Sequence, residues 1–176
     1  CGDAFTAEQK ARNVDYYERR TVRDSSLSAV TQAVMCAEGG HHELAHDYLH
    51  EAALVDLRDL HGNTRDGLHM ASLAGAWTVL VEGFAGLREM DEVLSLAPSL
   101  PEGIRGLTFH IRWHGVCLRG RIDHHEVECT LTTASADGAS VPFRLYGEDV
   151  VVRRGSAVRR PTQPRQATLP APVQPP

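Results

Sequence analysis

The feature that most constrains the fold is a change in hydrophobic period near the middle of the chain. Before Val93, apolar residues recur every three or four positions, as Leu27, Val30 and Val34 do. After it, apolar and polar residues alternate, as in the segment that carries Leu107, Phe109, Ile111 and Trp113. A period near 3.6 is typical of helices with one buried face, and a period of two is typical of half-buried strands. The sequence therefore predicts an α+β chain in which helices come first and an antiparallel β unit follows.

Four helices are predicted from their end signals and apolar spacing. Thr6 and Gln9 form a capping box that begins the first helix, which we expect to end near Tyr16. The second ends at Gly39-Gly40, because glycine tolerates the left-handed conformation found at helix ends. The third and fourth are expected at residues 41–60 and 67–86, separated by a loop. Short connections between the helices favour antiparallel pairs.

Strands are predicted at residues 107–113, 116–122 and 127–131, and a further pair at 142–146 and 150–153. His114-Gly115 and residues 123–125 stand where tight reversals are needed. Beyond Arg159, the proline-rich sequence cannot supply ladder hydrogen bonds, so a disordered tail is expected. The predicted boundaries are 1–90 for the helices, 91–158 for the β domain and 159–176 for the tail.

Charge and composition exclude several classes of protein. The net charge is −5, and arginines are dense only at Arg153, Arg154, Arg159 and Arg160, which argues against nucleic acid as a partner. The longest apolar run, residues 71–84, is too short to cross a bilayer. The 4 cysteines form no C-x-x-C pair, so a disulfide framework or zinc knuckle is not indicated and a reducing cytoplasm is expected.

The chain begins with Cys1, and two interpretations are open. A mature lipoprotein also begins at cysteine, but such proteins continue into a polar tether. Here an amphipathic segment follows almost at once. We therefore expect the polypeptide to come from a longer protein.

His42-Glu43-Leu44-Ala45-His46 matches the H-E-x-x-H motif of zinc peptidases. On a helical wheel, His42, His46 and His50 lie opposite the apolar arc and are expected to face water. A third ligand is also missing at the usual spacing. Chance resemblance is therefore preferred to the zinc peptidase reading, and no metal site is predicted.

Two polar segments precede predicted helices. Asp24 or Ser25 would cap the second helix, and a histidine such as His69 is usually a hydrogen-bonded core residue. The functional reading adds to capping, because hydroxyls beside free N–H groups at a helix start can bind phosphate. If the two helices pack as neighbours, Ser25, Ser26 and His69 would converge on one anion. Trp77 and Phe84 are predicted in the core, and Phe109 and Trp113 on one inward strand face.

Three consecutive motifs carry a family resemblance. They are Tyr16-Tyr17-Glu18, Thr21-x-x-Asp24-Ser25-Ser26-Leu27-Ser28 and Asn63-Thr64-x-x-Gly67-Leu68-His69-x-x-Ser72-x-Ala74-Gly75-x-Trp77. Their order and spacing resemble glycoside hydrolase family 65, the maltose, trehalose and kojibiose phosphorylases. The Leu94-Ser95-Leu96-Ala97-Pro98 run extends the resemblance into the β domain that follows the barrel in that family.

The resemblance implies the closing helices of an (α/α)6 barrel followed by a small antiparallel β-sandwich. It implies phosphorolysis of a disaccharide such as trehalose or maltose with inversion, yielding β-glucose 1-phosphate. Inorganic phosphate would be a co-substrate, with no cofactor, and the enzyme a homodimer. The residues implied in phosphate binding are Ser25, Ser26, Gly67, Leu68 and His69.

Two departures bear on this expectation. Arg23 stands where many family members carry histidine, and it also could bind phosphate. The motif with the catalytic glutamate lies upstream in the family, so this chain is expected to contain no catalytic residue and to be inactive alone. Nothing in the motifs places Glu18, Glu38 or Glu82 in that role. A hydrolase of the same family and a noncatalytic carbohydrate-interaction module are the alternatives.

Overall fold

The computed structural model describes residues 4–22, 25–90, 92–133 and 140–172. The chain divides into two compact units. One unit runs to Phe84 and includes the segment from Arg165 onward, and the other is Ala85–Pro164. The first is helical and the second consists of β-strands, which confirms the predicted α+β class.

The helical unit contains α1 (Ala7–Glu18), α2 (Ser28–Glu38), α3 (His42–Leu54) and α4 (Met70–Thr78). A π-helical turn, Val79–Phe84, continues α4. Helix α2 packs against α3, α4 and this turn, so it is the centre of the unit. Its buried apolar residues are small, and they allow the neighbouring helices to approach closely; they are Ala29, Ala33, Cys36 and Ala37. Among the described residues, no helix is both long and apolar enough to cross a membrane.

The predicted start of α1 and the predicted end of α2 are confirmed, whereas α1 continues two residues past Tyr16 to Glu18. The Thr6 hydroxyl accepts from Gln9 N–H at 3.2 Å, and Gln9 Oε1 accepts from Thr6 N–H at 2.8 Å. At the end of α2, Gly40 has φ +85°. Its N–H donates to the Ala37 carbonyl and the His41 N–H donates to that of Cys36. This is the Schellman pattern, which satisfies carbonyls that the last helical turn leaves free.

The third and fourth helices are shorter than predicted. Helix α3 ends at Leu54 and α4 begins at Met70, with a 3-10 turn at Thr64–Asp66 between them. Asp59 has φ 48° and Gly67 has φ 137°, and neither value is compatible with a right-handed helix. The intervening chain is therefore a structured loop.

The described residues of the β unit form eight strands: β1 (Arg88–Met90), β2 (Val93–Leu96), β3 (Gly106–Trp113), β4 (Val116–Asp123), β5 (Glu126–Thr133), β6 (Ser140–Leu145), β7 (Glu148–Arg153) and β8 (Ala157–Pro161). They form two four-stranded sheets in the orders β1-β2-β6-β7 and β3-β4-β5-β8. Only the β2–β6 pair is parallel among these strands. Fully buried side chains from both sheets, among them Leu118, Val127, Phe143 and Val152, form the core of a β-sandwich.

The predicted reversals of the β unit are confirmed. His114 and Gly115 both have positive φ and connect β3 to β4. Between β4 and β5, Asp123 Oδ1 accepts from the N–H groups of His125 and Glu126, each at 2.8 Å. These two bonds hold the pKa of Asp123 below its ordinary value, because they stabilise the carboxylate.

The prediction of a disordered tail from Arg159 is wrong over the described residues. Strand β8 pairs with β5 in an antiparallel ladder, and Pro161 stands at its end, where a missing N–H costs least. Arg159 pairs with Glu128, and Arg160 with Glu148 at 3.2 Å. Further on, Arg165 Nη1 donates to the Ala37 carbonyl at 3.0 Å. Residues 173–176 lie outside the described part.

Two of the four aromatic residues predicted to lie in the cores are buried. Phe84 and Phe109 are buried, whereas Trp113 is half-buried. Trp77 is 54% exposed, so its prediction as a core residue is wrong. It lies on the face of α4 that also carries Met70 and Ala74, while the opposite face, with Gly75, packs against α2. A helix that packs on one side leaves apolar residues of its other side uncovered.

Candidate functional site

Ser25 and Ser26 form a turn that leads into α2. The Ser25 carbonyl accepts from Ser28 N–H at 2.9 Å, and the Ser25 hydroxyl accepts from Leu27 N–H at 3.4 Å. Leu27 is the N-cap and makes no side-chain cap bond. The predicted capping by Ser25 is thus wrong in detail, because Ser25 bonds within the preceding turn. Asp24 and Arg23, the other residues predicted here, lie outside the described part.

The loop before α4 is held by Asp59. Its Oδ1 accepts from the Thr64 N–H at 3.0 Å and from the Thr64 hydroxyl at 2.7 Å. These bonds hold the pKa of Asp59 below its ordinary value. Gly67 then adopts φ 137°, in the region that favours glycine, and a Cβ there would meet nothing within 4 Å. Glycine is therefore favoured at position 67 by the positive φ and not by a lack of space for a side chain.

His69 is the N-cap of α4 and is bound twice by Asp56. The Asp56 Oδ2 accepts from the His69 N–H at 2.8 Å, and Oδ1 lies 2.6 Å from His69 Nδ1. The side chains are only 18% exposed for His69 and 6% for Asp56. The side-chain hydrogen bond from His69, followed by the backbone bond, keeps the pKa of Asp56 below its ordinary value. Asp56 is accordingly ionised near neutral pH.

Helices α2 and α4 pack in parallel. A Cβ on Gly75 would lie 2.4 Å from Val30 Cγ2, and a Cβ on Gly83 would lie 3.5 Å from that of Ala37. From the first contact to the second, the residue number rises in α2 and also in α4 with the turn that continues it. The two helices therefore begin at the same end of the unit. Ser28 and Met70, their first residues, precede the Val30–Gly75 contact by about 3 and 7.5 Å at about 1.5 Å per residue. The turn with Ser25 and Ser26 and the loop with His69 therefore open onto one end of the helix pair.

A cavity of about 790 Å³ lies between α1 and α2 and extends from this end along α2 to Cys36. Ser25, Leu27 and Ser28 line it, together with Tyr17 and Thr21. Within the described residues, the lining does not include Gly67, Leu68 or His69. The two groups of predicted phosphate ligands thus share an end of the unit without sharing this cavity.

Glu18 also lines the cavity, and it is only 3% exposed. Its carboxylate accepts from Gln32 Nε2 at 3.0 Å and from the Tyr48 hydroxyl. These bonds join α1, α2 and α3 through one buried acid. Glu38 forms an ion pair with Lys10 at 2.6 Å. Both carboxylates therefore have structural partners in the helical unit.

The histidines of the H-E-x-x-H segment do not all face water, which corrects the helical-wheel prediction. His42 is half-buried, and its Nε2 lies 3.0 Å from the carbonyl oxygen of Arg165. Burial is the main cause that lowers the pKa of His42. The rings of His46 and His50 contact each other at a tilt of 48°, with their centroids 4.4 Å apart. The segment with Arg165, which was predicted to be disordered, therefore covers His42.

Sequence reasoning did not identify Asp56 and Asp59. They come just after the apolar residues of α3 and lie three positions apart from each other. Acidic residues at this spacing are common on solvated helix faces. Their partners, His69 and Thr64, are 13 and 5 positions away. No local signal connects such residues, so only the structure reveals their pairing.

Family models match both units of the chain. The glycosyl hydrolase family 65 central catalytic domain matches residues 1–78, and the C-terminal domain of that family matches residues 87–152. Together the two matches cover most of the 176 residues. The chain belongs to glycosyl hydrolase family 65.

Individual relatives agree with this assignment. An uncharacterized glycosyl hydrolase of Mycobacterium leprae is 58% identical over 98% of this chain and 22% of its own length. An α,α-trehalose phosphorylase of Geobacillus stearothermophilus is 39% identical over 76% of this chain and 17% of its own. A solved structure assigned as a kojibiose phosphorylase, from the human microbiome, superposes with TM-score 0.82 at 28% identity, over 92% of this chain and 23% of that one. The chain thus spans about a fifth of the length of the relatives it matches.

Proposed function

We propose that this chain is the C-terminal part of a longer inverting α-glucoside phosphorylase, hereafter the full-length protein. The family assignment supports a carbohydrate-active enzyme, and several relatives are phosphorylases by name. Their names differ in the disaccharide, between trehalose, maltose and kojibiose. The proposed reaction is therefore phosphorolysis of a glucose disaccharide, such as trehalose or maltose, to β-glucose 1-phosphate.

The observation that carries the proposal is the parallel packing of α2 and α4. Parallel helices present their N-terminal N–H groups, and the positive ends of their dipoles, in one direction. An anion near that end gains from both helices. The two segments that resemble the family's phosphate-binding motifs are the ones that precede these helices.

In the proposed site, phosphate is held by the hydroxyls of Ser25 and Ser26, the backbone around Gly67 and Leu68, and the ring of His69. Arg23 is a further candidate. A phosphate dianion must be neutralised and aimed at the anomeric carbon before it can displace the leaving sugar. Hydroxyls, N–H groups and an imidazole supply such donors.

The general acid that protonates the leaving sugar belongs to the upstream part of the full-length protein in this proposal. Inversion requires the acid and the nucleophile on opposite sides of the sugar, with phosphate in place of an activated water. The chain alone would accordingly be inactive. The full-length protein is proposed to need no cofactor, to be a cytoplasmic homodimer, and to have neither nucleic acid nor membrane as a partner.

A hydrolase is the second candidate, because the 58% identical relative is named a glycosyl hydrolase. A hydrolase would need a second carboxylate to activate water and would have no use for phosphate. Assay of the full-length protein on trehalose, maltose and kojibiose, with and without inorganic phosphate, separates the two. We expect cleavage only with phosphate and β-glucose 1-phosphate as a product. Equal release of free glucose under both conditions would favour the hydrolase.

A further inference from the structure

Asp56 follows α3 and contacts His69 through both of its carboxylate oxygens. One accepts from the backbone N–H of His69 at 2.8 Å, and the other lies 2.6 Å from ring atom Nδ1. The two bonds fix both the position of the residue and the direction of its ring. With 6% exposure, the Asp56 side chain is largely shielded from water, which strengthens such charge-assisted bonds.

The contact also determines which ring nitrogen carries hydrogen. An ionised carboxylate only accepts hydrogen bonds, so Nδ1 must be the donor to Asp56. Nε2 is then the nitrogen left for any other partner. In the neutral ring, Nε2 would present a lone pair, which repels a phosphate oxygen. A ring with hydrogen on both nitrogens donates to Asp56 and to the anion together.

We infer that Asp56 is the positioning residue of the phosphate site, holding His69 with Nδ1 toward the carboxylate and Nε2–H toward the substrate anion. Its negative charge would balance the positive charge that the ring carries when both nitrogens hold hydrogen. Asp56 itself does not touch phosphate. This inference rests on the proposed function, since it assigns a task to His69 within that site.

Asp59 provides a matched comparison three residues along the chain. It holds the same loop, but through Thr64, whose N–H and hydroxyl both donate to Oδ1. An asparagine at position 59 keeps an oxygen that can accept both of these bonds. An asparagine at position 56 has one oxygen for two donors, and its NH2 group would face either the ring N–H or the backbone N–H. Each substitution removes one charge from the same loop, yet only Asp56→Asn disturbs His69.

The test is the kinetics of Asp56→Asn, Asp56→Glu and Asp59→Asn in the full-length protein, with phosphate and disaccharide varied in turn. For Asp56→Asn we expect the KM for phosphate to rise on the order of tenfold or more, as for loss of a hydrogen bond to a charged group. The KM for disaccharide should stay within about twofold of wild type, and Asp59→Asn should stay near wild type for both. The phosphate KM of Asp56→Glu should lie between those of wild type and Asp56→Asn, because glutamate retains the carboxylate.

Each other outcome contradicts the inference in a recognisable way. A phosphate-dependent wild type with an unchanged phosphate KM in Asp56→Asn would contradict the role of Asp56 alone. Equal increases in both KM values, or equal effects of Asp56→Asn and Asp59→Asn, would show that Asp56 only stabilises the loop. If Asp56→Asn does not fold, Asp56→Glu decides, since a purely structural role predicts no selective change in the phosphate KM. A wild type that ignores phosphate would overturn the proposed function and the inference together.

Discussion

Gly120 illustrates how single residues set the closest contacts of the β unit. It stands directly opposite Phe109 across the β3–β4 ladder, and a Cβ there would lie 2.5 Å from the ring. Phe109 is 5% exposed, so its ring both covers Gly120 and occupies part of the sandwich core. An aromatic ring over a strand glycine compensates for the side chain that the glycine lacks.

Gly120→Ala should therefore lower the free energy of unfolding by about 1–3 kcal/mol, as overpacking of a core does. Urea unfolding of the chain, followed by circular dichroism, measures the change. Arg112→Ala, an exposed substitution on β3, is the control and should have little effect. In a Phe109→Leu background, the cost of Gly120→Ala should shrink. An equal cost in both backgrounds would mean that the ring is not the obstacle.

At the scale of elements, the positions of helices α2 and α4 depend on Gly75. A Cβ on this residue would meet three atoms of the Val30 side chain, the nearest at 2.4 Å. Val30 is β-branched and cannot rotate away easily. The glycine thus permits the close packing that brings the two helix starts to one end of the unit.

Gly75→Ala should separate α2 from α4 and destabilise the full-length protein by about 1–3 kcal/mol. Phosphorolysis should fall with it, since the proposed phosphate ligands precede these helices. Gly83→Ala is the matched control, because its Cβ would meet only ordinary contacts of 3.5 Å or more. Thermal melting and initial rates measure both effects. If adding Val30→Ala fails to restore the Gly75→Ala protein, this packing is not what limits it.

The elements themselves were predictable where a local pattern specified them. Thr6 and Gln9, the glycines after α2, and the alternation in β3 to β5 each act within a few residues. Strands β1, β2 and β8 were missed, because all three are short. In addition, β8 pairs with the distant β5, and β2 pairs in parallel with the distant β6. The Asp56–His69 pair and the contact of Arg165 with α2 were likewise beyond local patterns.

At the scale of the whole molecule, the two units differ in how completely they cover their apolar residues. Among the described residues, every large exposed apolar side chain except Val151 lies in the helical unit. Leu57 is 82% exposed and Met70 67%. Surfaces of this kind commonly contact other parts of a protein. This supports the proposal that the helical unit completes a larger catalytic domain, as the length of the relatives also suggests.

The charges of the molecule agree with the proposal of a small-molecule substrate. The two arginines of β8, Arg159 and Arg160, pair with Glu128 and Glu148. A basic face of the kind that binds a nucleic-acid backbone is therefore partly neutralised at this strand. The proposed anion site lies instead at helix starts, where backbone N–H groups supply the positive potential.

The central claim is that Ser25, Ser26 and His69 hold one phosphate ion. The most direct test is a crystal structure of the full-length protein with inorganic phosphate bound. We expect phosphate oxygens within about 3.2 Å of a serine hydroxyl at position 25 or 26 and of His69 Nε2, with Nδ1 still on Asp56. A phosphate ion bound elsewhere in the catalytic domain, with these side chains directed into separate surroundings, would contradict the account.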